Sequence, residues 1–221
     1  MVRKFVTSQL AAKLFVLLAF ALMLPAAQAS LLTVGGISTP TSIIPGGAQV
    51  GFASGTIFAP TFTATFKEWV YQDPGNTLPG CSGKCLDFVY QFHNDINSKN
   101  TLERFSMSSF AGLGMAGLVN VGMDKLGIHD PISATWSLDG EVIAFNYTPF
   151  GDQINRGETT QLMVIQTQAT QYTDGWVSAQ DGTASSAPAL APQAVPEPTS
   201  LGLLGGGLIV VGGFVRRKLG L

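Results

Sequence analysis

The sequence is poor in charge, in cysteine and in histidine. Only 12% of its 221 residues are charged, against about a quarter in an average soluble domain. The formal net charge is -2, so there is no basic excess to hold a phosphate backbone, and nucleic acid is not an expected partner. Two cysteines and two histidines leave little material for a zinc site, and neither a metal nor any other cofactor is expected. No unit repeats at a period of ~20–50 residues, which argues against a solenoid or a propeller. A Gly-x-Ser-x-Gly elbow is also missing. What the chain does have is glycine, 26 residues of it, with abundant serine and threonine, the composition of an exported β-rich domain.

The long apolar runs sit at the two ends. Arg3, Lys4 and Lys13 precede an apolar stretch from Leu14 to Leu24, which Pro25 ends. Ala27-Gln28-Ala29 follows, the small-x-small pattern that signal peptidase accepts. Residues 1–29 therefore read as a signal peptide, cleaved after Ala29 to leave Ser30 as the first residue of the mature chain. The alternative, an uncleaved anchor, is opposed by the shortness of the run.

At the other end, residues 182–194 are mostly Ala, Ser, Pro, Gly and Gln. They show no periodic apolar face and predict a flexible, solvated linker. Val195, Pro196, Glu197 and Pro198 come next. The two prolines lack backbone donors, so a helix can begin only after them. An uncharged apolar stretch then predicts a transmembrane helix over about 200–215. At a rise of 1.5 Å its roughly 16 residues span only ~24 Å, short of a ~30 Å hydrocarbon core. Its glycines weaken it further, which suits a temporary hold in the membrane. Arg216, Arg217 and Lys218 end the stretch as a cytoplasmic stop, with the main domain on the outer side.

The Val195-Pro196-Glu197-Pro198 step, the apolar stretch and the Arg216-Arg217-Lys218 end resemble, in their order and spacing, the PEP-CTERM sorting domain of Gram-negative bacteria. The resemblance covers about the last 27 residues. It implies processing near Pro196-Glu197-Pro198 by a membrane-embedded, exosortase-like protease, with the inner membrane as a transient station. It also implies delivery of the domain to the cell surface or beyond, in bacteria that secrete polysaccharide and form biofilm.

Between the ends, residues 30–181 read as an all-β ectodomain, an antiparallel β-sandwich with a jelly-roll or Ig-like path. Leu86, Phe88, Tyr90 and Phe92 alternate with Asp87, Gln91 and His93. Phe62, Ala64 and Phe66 alternate with threonines, and a one-place shift at Trp69 and Tyr71 predicts a bulge or an end of pairing. Ile132, Ala134, Trp136 and Leu138 form one face of a strand that runs into Asp139-Gly140, a hairpin signal. Thr159–Thr167 reads as a strand, and Tyr172–Ala179 as the last one. The stretch from Phe110 to Met123 is open between a strand pair and a loop.

For chemistry the sequence offers little. Cys81 and Cys85, in an oxidising compartment, predict a disulfide closing a small loop. Asp87, Asp95, Glu103 and Glu141 offer carboxylates, but their spacing favours no catalytic pair and solvated strand faces account for them. No catalytic residue is assigned. The leading expectation is a non-enzymatic protein, structural or adhesive in a polysaccharide-rich envelope. The alternative is a carbohydrate-binding module or carbohydrate-active enzyme on the same sandwich, since the fold alone does not decide between them.

Overall fold

The computed structural model describes residues 30–113, 118–124, 126–148 and 152–193. The predicted signal peptide with Ala27 and Ala29, the Val195-Pro196-Glu197-Pro198 step, the predicted helix and Arg216, Arg217 and Lys218 lie outside them.

The described chain is all β. In order its strands are β1 (Ser30–Thr33), β2 (Ile37–Ser38), β3 (Thr41–Ser42), β4 (Ala48–Phe58), β5 (Thr63–Gln72), β6 (Leu86–Asn94), β7 (Arg104–Ser108), β8 (Leu118–Asp124), β9 (Ser133–Trp136), β10 (Val142–Asn146), β11 (Leu162–Gln166), β12 (Tyr172–Gln180) and β13 (Ala184–Pro192). They form two sheets. The first runs β1-β8-β11-β6-β5-β4, with β3 joining β8 in parallel; the second runs β13-β12-β7-β10-β9-β2. Every other pairing is antiparallel. Among the described residues no helix is long and apolar enough to cross a membrane.

The two sheets face each other across one core. Strand alternation supplies it: Phe88, Tyr90 and Phe92 point inward from β6, and Phe105 and Met107 from β7. Phe92 stacks on Phe105 at 4.4 Å between ring centres, and Tyr147 meets Phe105 edge-on at 5.7 Å. Such pairs add to the energy of their burial. Two glycines are required by geometry. Gly140 holds φ +76° in the β9–β10 turn, where a side chain would be strained. At Gly122 on β8, a Cβ would lie 2.3 Å from the Ile43 side chain, so its absence lets Ile43 lie over β8 and join Val164 and Val89 in a small apolar cluster.

Several expectations are corrected. Residues 184–192 are not linker: they are β13, paired along their whole length with β12, and Ala187, Ala189 and Ala191 are buried in the core. Alanines and prolines conceal the strand because small side chains suit a crowded sandwich edge without showing a strong apolar rhythm. β12 is accordingly not the last strand. β5 runs unbroken through Trp69 and Tyr71. The alternation does not slip there. It continues, with Glu68 on the inner face, and the only register shift of the β4–β5 hairpin is on β4 between Gln49 and Gly51. Leu138 lies past the end of β9 in the turn and is 90% exposed. The open stretch resolves as β8 from Leu118 onward, paired with β11 and β1.

Candidate functional site

The feature with the clearest functional consequence is the end of the described chain. β13 is an edge strand, and its free side lies against β4 of the other sheet. The backbone N–H of Leu190 donates to Glu68 Oε2 at 2.7 Å across the core. Ser185 Oγ donates to the carbonyl of Phe58 at 2.7 Å, and the Tyr172 hydroxyl donates to the carbonyl of Val50 at 2.9 Å. Gln193 N–H donates to the Gln171 carbonyl at 2.9 Å. The strand is thus fastened on both sides up to the last described residue. A cavity of about 420 Å³, lined by Val50, Gln72, Tyr172 and Gln193 among others, opens beside this exit.

Glu68 is fully buried, and burial raises its carboxyl from the ordinary 4.5 to about 7. The Leu190 N–H and the Tyr90 hydroxyl favour the ionised form and offset burial only in part. The Tyr90 phenol is in turn pushed well above its usual value by burial, with the Glu68 charge adding to it.

A second buried carboxyl lies at the same end of the first sheet. Asp87, on β6, points away from the core, yet is fully buried. The loop between β5 and β6 closes over it. Asn76 Nδ2 donates to Asp87 Oδ1 at 2.9 Å and to the Thr167 carbonyl at 3.0 Å. Gln166 Nε2 donates to Asp87 Oδ2 at 2.8 Å and to Asp73 Oδ2 at 3.3 Å, and Asn120 holds Gln166 Oε1 at 3.2 Å. Asp73 accepts the Gly75 N–H at 2.7 Å. Burial raises the Asp87 carboxyl from 3.8 to about 8; Gln166 and Asn76 lower it, while Asp73 raises it further by charge and by sharing a proton. Asp87 was expected on a solvated strand face, and the structure corrects that expectation. Its burial depends on Asn76, 11 positions earlier in the β5–β6 loop, a contact that no alternation pattern reveals.

Cys81 and Cys85 are joined in a disulfide within this loop, with Cα atoms 5.5 Å apart. The bridge closes the loop's last residues next to β6, where the Asp73 N–H donates to the Cys85 carbonyl at 3.1 Å, and Asn76 fastens the loop's first part to Asp87. The remaining carboxylates considered from sequence do not converge. Asp95 Oδ1 binds the Asn97 backbone at 2.8 Å and shapes a turn. Glu103 accepts from Gln153 at 2.9 Å, and Glu141 is exposed at the β9–β10 turn. His93 Nδ1 meets Thr159 Oγ1 at 3.0 Å, away from Asp95. Among the described residues no group of three or more His, Cys, Asp or Glu is placed to hold a metal ion.

A family model, the PEP-CTERM protein-sorting motif, matches residues 194–218. No curated protein and no solved structure matches the chain. The match begins two residues after β13 ends at Pro192. Such a motif directs export and exosortase-dependent sorting to the cell surface. The chain therefore carries a PEP-CTERM protein-sorting motif, which implies an exported, cell-surface protein, two residues after the last described strand of its β-sheet domain.

Proposed function

We propose that this is a structural or adhesive, non-catalytic protein of a polysaccharide-rich cell envelope or biofilm matrix. Signal peptidase removes residues 1–29 and frees Ser30. The apolar stretch at about 200–215 holds the chain briefly in the inner membrane, with Arg216, Arg217 and Lys218 on the cytoplasmic side. The exosortase-like protease then acts near Pro196-Glu197-Pro198 and passes the domain to the surface or the medium. The observation that carries this reading is the position of the motif, one residue past Gln193, the last described residue, whose N–H donates to Gln171.

Two further features support it. The buried carboxyls are engaged in holding the fold: Glu68 faces the core, and Asp87 with Asp73 lies under the disulfide loop. The chain also changes sheet at five connections between β6 and β12, with the β9–β10 hairpin the exception, which favours a jelly-roll path over an Ig-like one. The second reading, a carbohydrate-binding module, is favoured by one observation, the exposed Trp176 on the outer face of the second sheet.

The test is genetic. With Pro196, Glu197 and Pro198 all changed to alanine in the producing cell, the protein should stay in the membrane fraction at full length. Surface delivery of that variant at the normal level would contradict the proposal.

A further inference from the structure

The outer face of the first sheet holds a second cavity, of about 270 Å³, over β5 and β6. Strand alternation builds it. Phe66 and Phe92 enter the core, so Thr65 and Lys67 on β5 and Gln91 and His93 on β6 point outward. The register sets Thr65 opposite His93 and Lys67 opposite Gln91, and Thr159 pairs with His93 from the other side. All five line the cavity.

Its polar groups are unevenly used. Gln91 Nε2 donates to the Leu126 carbonyl at 2.9 Å and to the Thr160 carbonyl at 3.2 Å, which commits its amide hydrogens. His93 Nδ1 meets Thr159 Oγ1 at 3.0 Å. With the Thr159 hydroxyl donating there, the ring proton sits on Nε2, which becomes a donor. Among the described residues the Lys67 ammonium, His93 Nε2 and the Thr65 hydroxyl have no hydrogen-bond or ion-pair partner. No carboxylate lines the cavity, and Glu158, next to Thr159, is taken by His129 and Asn155.

We propose that this cavity binds a small hydroxylated carboxylate, a sugar acid or hydroxy acid. One lysine with no acid beside it calls for a single negative charge, and its ammonium and His93 Nε2 supply donors to a carboxylate. Charge-assisted hydrogen bonds of this kind are the strong ones. The Thr65 hydroxyl donates and accepts, and Gln91, its hydrogens committed, offers only its carbonyl oxygen, an acceptor for a ligand hydroxyl. Drug-sized ligands occupy sites of ~300 Å³ and more, so this one takes a single small molecule. The alternatives fit less well. A phosphate draws an arginine fork or a helix N-terminus, and neither lines the cavity. A metal cation would meet the Lys67 charge in place of carboxylates. An apolar ligand would strip water from Lys67 and the hydroxyls without replacing it. The site belongs to the folded domain, so it stands apart from the sorting and matrix roles proposed above.

The test titrates the full chain in detergent micelles with glucuronate and follows the ring Cε1–H signals of its two histidines by NMR. The signal of His93, assigned as the one lost in His93→Asn, should move and saturate. Glucose, which lacks the charge, and inorganic phosphate should each bind more weakly. Lys67→Gln should weaken glucuronate binding roughly tenfold or more, as loss of a charged partner does, and Thr65→Val should weaken it by a smaller factor. Lys84→Gln, in the disulfide loop, should bind like wild type. Lys67 and Thr65 are exposed, and thermal melting should show both variants folded. A uronate oligomer that binds more tightly than the free acid assigns the ligand to an acidic glycan; equal or weaker binding assigns it to the free acid; either upholds the site. Absence of a saturating shift with both the free acid and the oligomer overturns the inference, as does glucose or phosphate binding as tightly as glucuronate. Unchanged affinity in Lys67→Gln overturns it too. The sorting route is judged separately, by processing at the motif.

Discussion

Glu68 on β5 and the backbone N–H of Leu190 on β13 meet at 2.7 Å, joining the two sheets next to the point where the sorting motif begins. A fully buried carboxyl thus fastens the last strand of the domain. Its raised value, about 7 against 4.5, has a definite sign. The folded state binds more protons than the unfolded one between these values, so this group's contribution falls as pH rises through 4.5 to 7. Glu68→Gln keeps an acceptor for Leu190 and removes the charge. The variant should lose that slope and, above pH 7, melt no lower than wild type. Urea unfolding at pH 5 and pH 8 checks it; a wild-type stability that rises across that interval by the same amount in both proteins would contradict it.

Asp87 extends the same logic to higher pH. With its carboxyl raised to about 8, stability falls as pH rises from about 4 through 8. Asp139, Glu158 and Asp181 oppose this at the acid end. Ser137 and the Glu141 N–H lower Asp139. At Glu158 and Asp181 burial acts upward but is outweighed by hydrogen bonds, from Asn155 and His129 in one case and from Thr61, Thr183 and Asn100 in the other. What these three contribute is lost as pH falls through their lowered values. The melting temperature should therefore peak in mildly acidic buffer. Asp87→Asn should flatten the alkaline limb, whereas Asp87→Ala, which strands the Asn76 and Gln166 amides, should cost about 1–3 kcal/mol at every pH.

The disulfide closes a loop of five residues. The chain-entropy account gives about 2 kcal/mol for a loop so short. Changing Cys81 and Cys85 together to serine should lower the melting temperature by roughly 4–8 °C for a domain of this size. It should leave the folded domain intact, because Asn76, Asp87 and Gln166 still tie the loop's base to the sheet. Calorimetry with and without a reductant gives the same comparison on the unaltered chain. Loss of all cooperative melting on reduction would show that the carboxyl network does not hold the loop alone.

Much of the sandwich was legible, and the reason is physical. Leu86, Phe88, Tyr90 and Phe92 alternate because one face of β6 meets the core. Asp139-Gly140 marks the β9–β10 turn because Gly140 takes a positive φ. What could not be read was set by partners distant in sequence. Nothing near Glu68 announces Leu190, and nothing near Asp87 announces Gln166, 79 positions away. β13 was concealed because its inward residues are three alanines, whose burial depends on a tight neighbour and not on their own hydrophobicity.

Because 184–192 is a strand, the folded domain includes residues beyond Asp181, at least to Pro192. A chain stopped after Asp181 removes every partner of β12 on that side and uncovers the core beside Val177 and Ala179. It should melt without cooperativity or far below the chain stopped after Gln193. Ala189→Glu, a charge placed at a buried position in the same strand, should destabilise by several kcal/mol. Far-UV circular dichroism melts compare them; equal stability of the two truncations would return these residues to the role of linker.

We propose that the exported domain is processed at the sorting motif that begins two residues after its last described strand. The intact mass of the mature protein, recovered from the surface or medium of its own cell, tests it most directly. The mass should correspond to a chain that starts at Ser30 and stops near Pro196-Glu197-Pro198, with residues after the motif removed and the disulfide formed. A surface-delivered chain that still ends at Leu221 would contradict it.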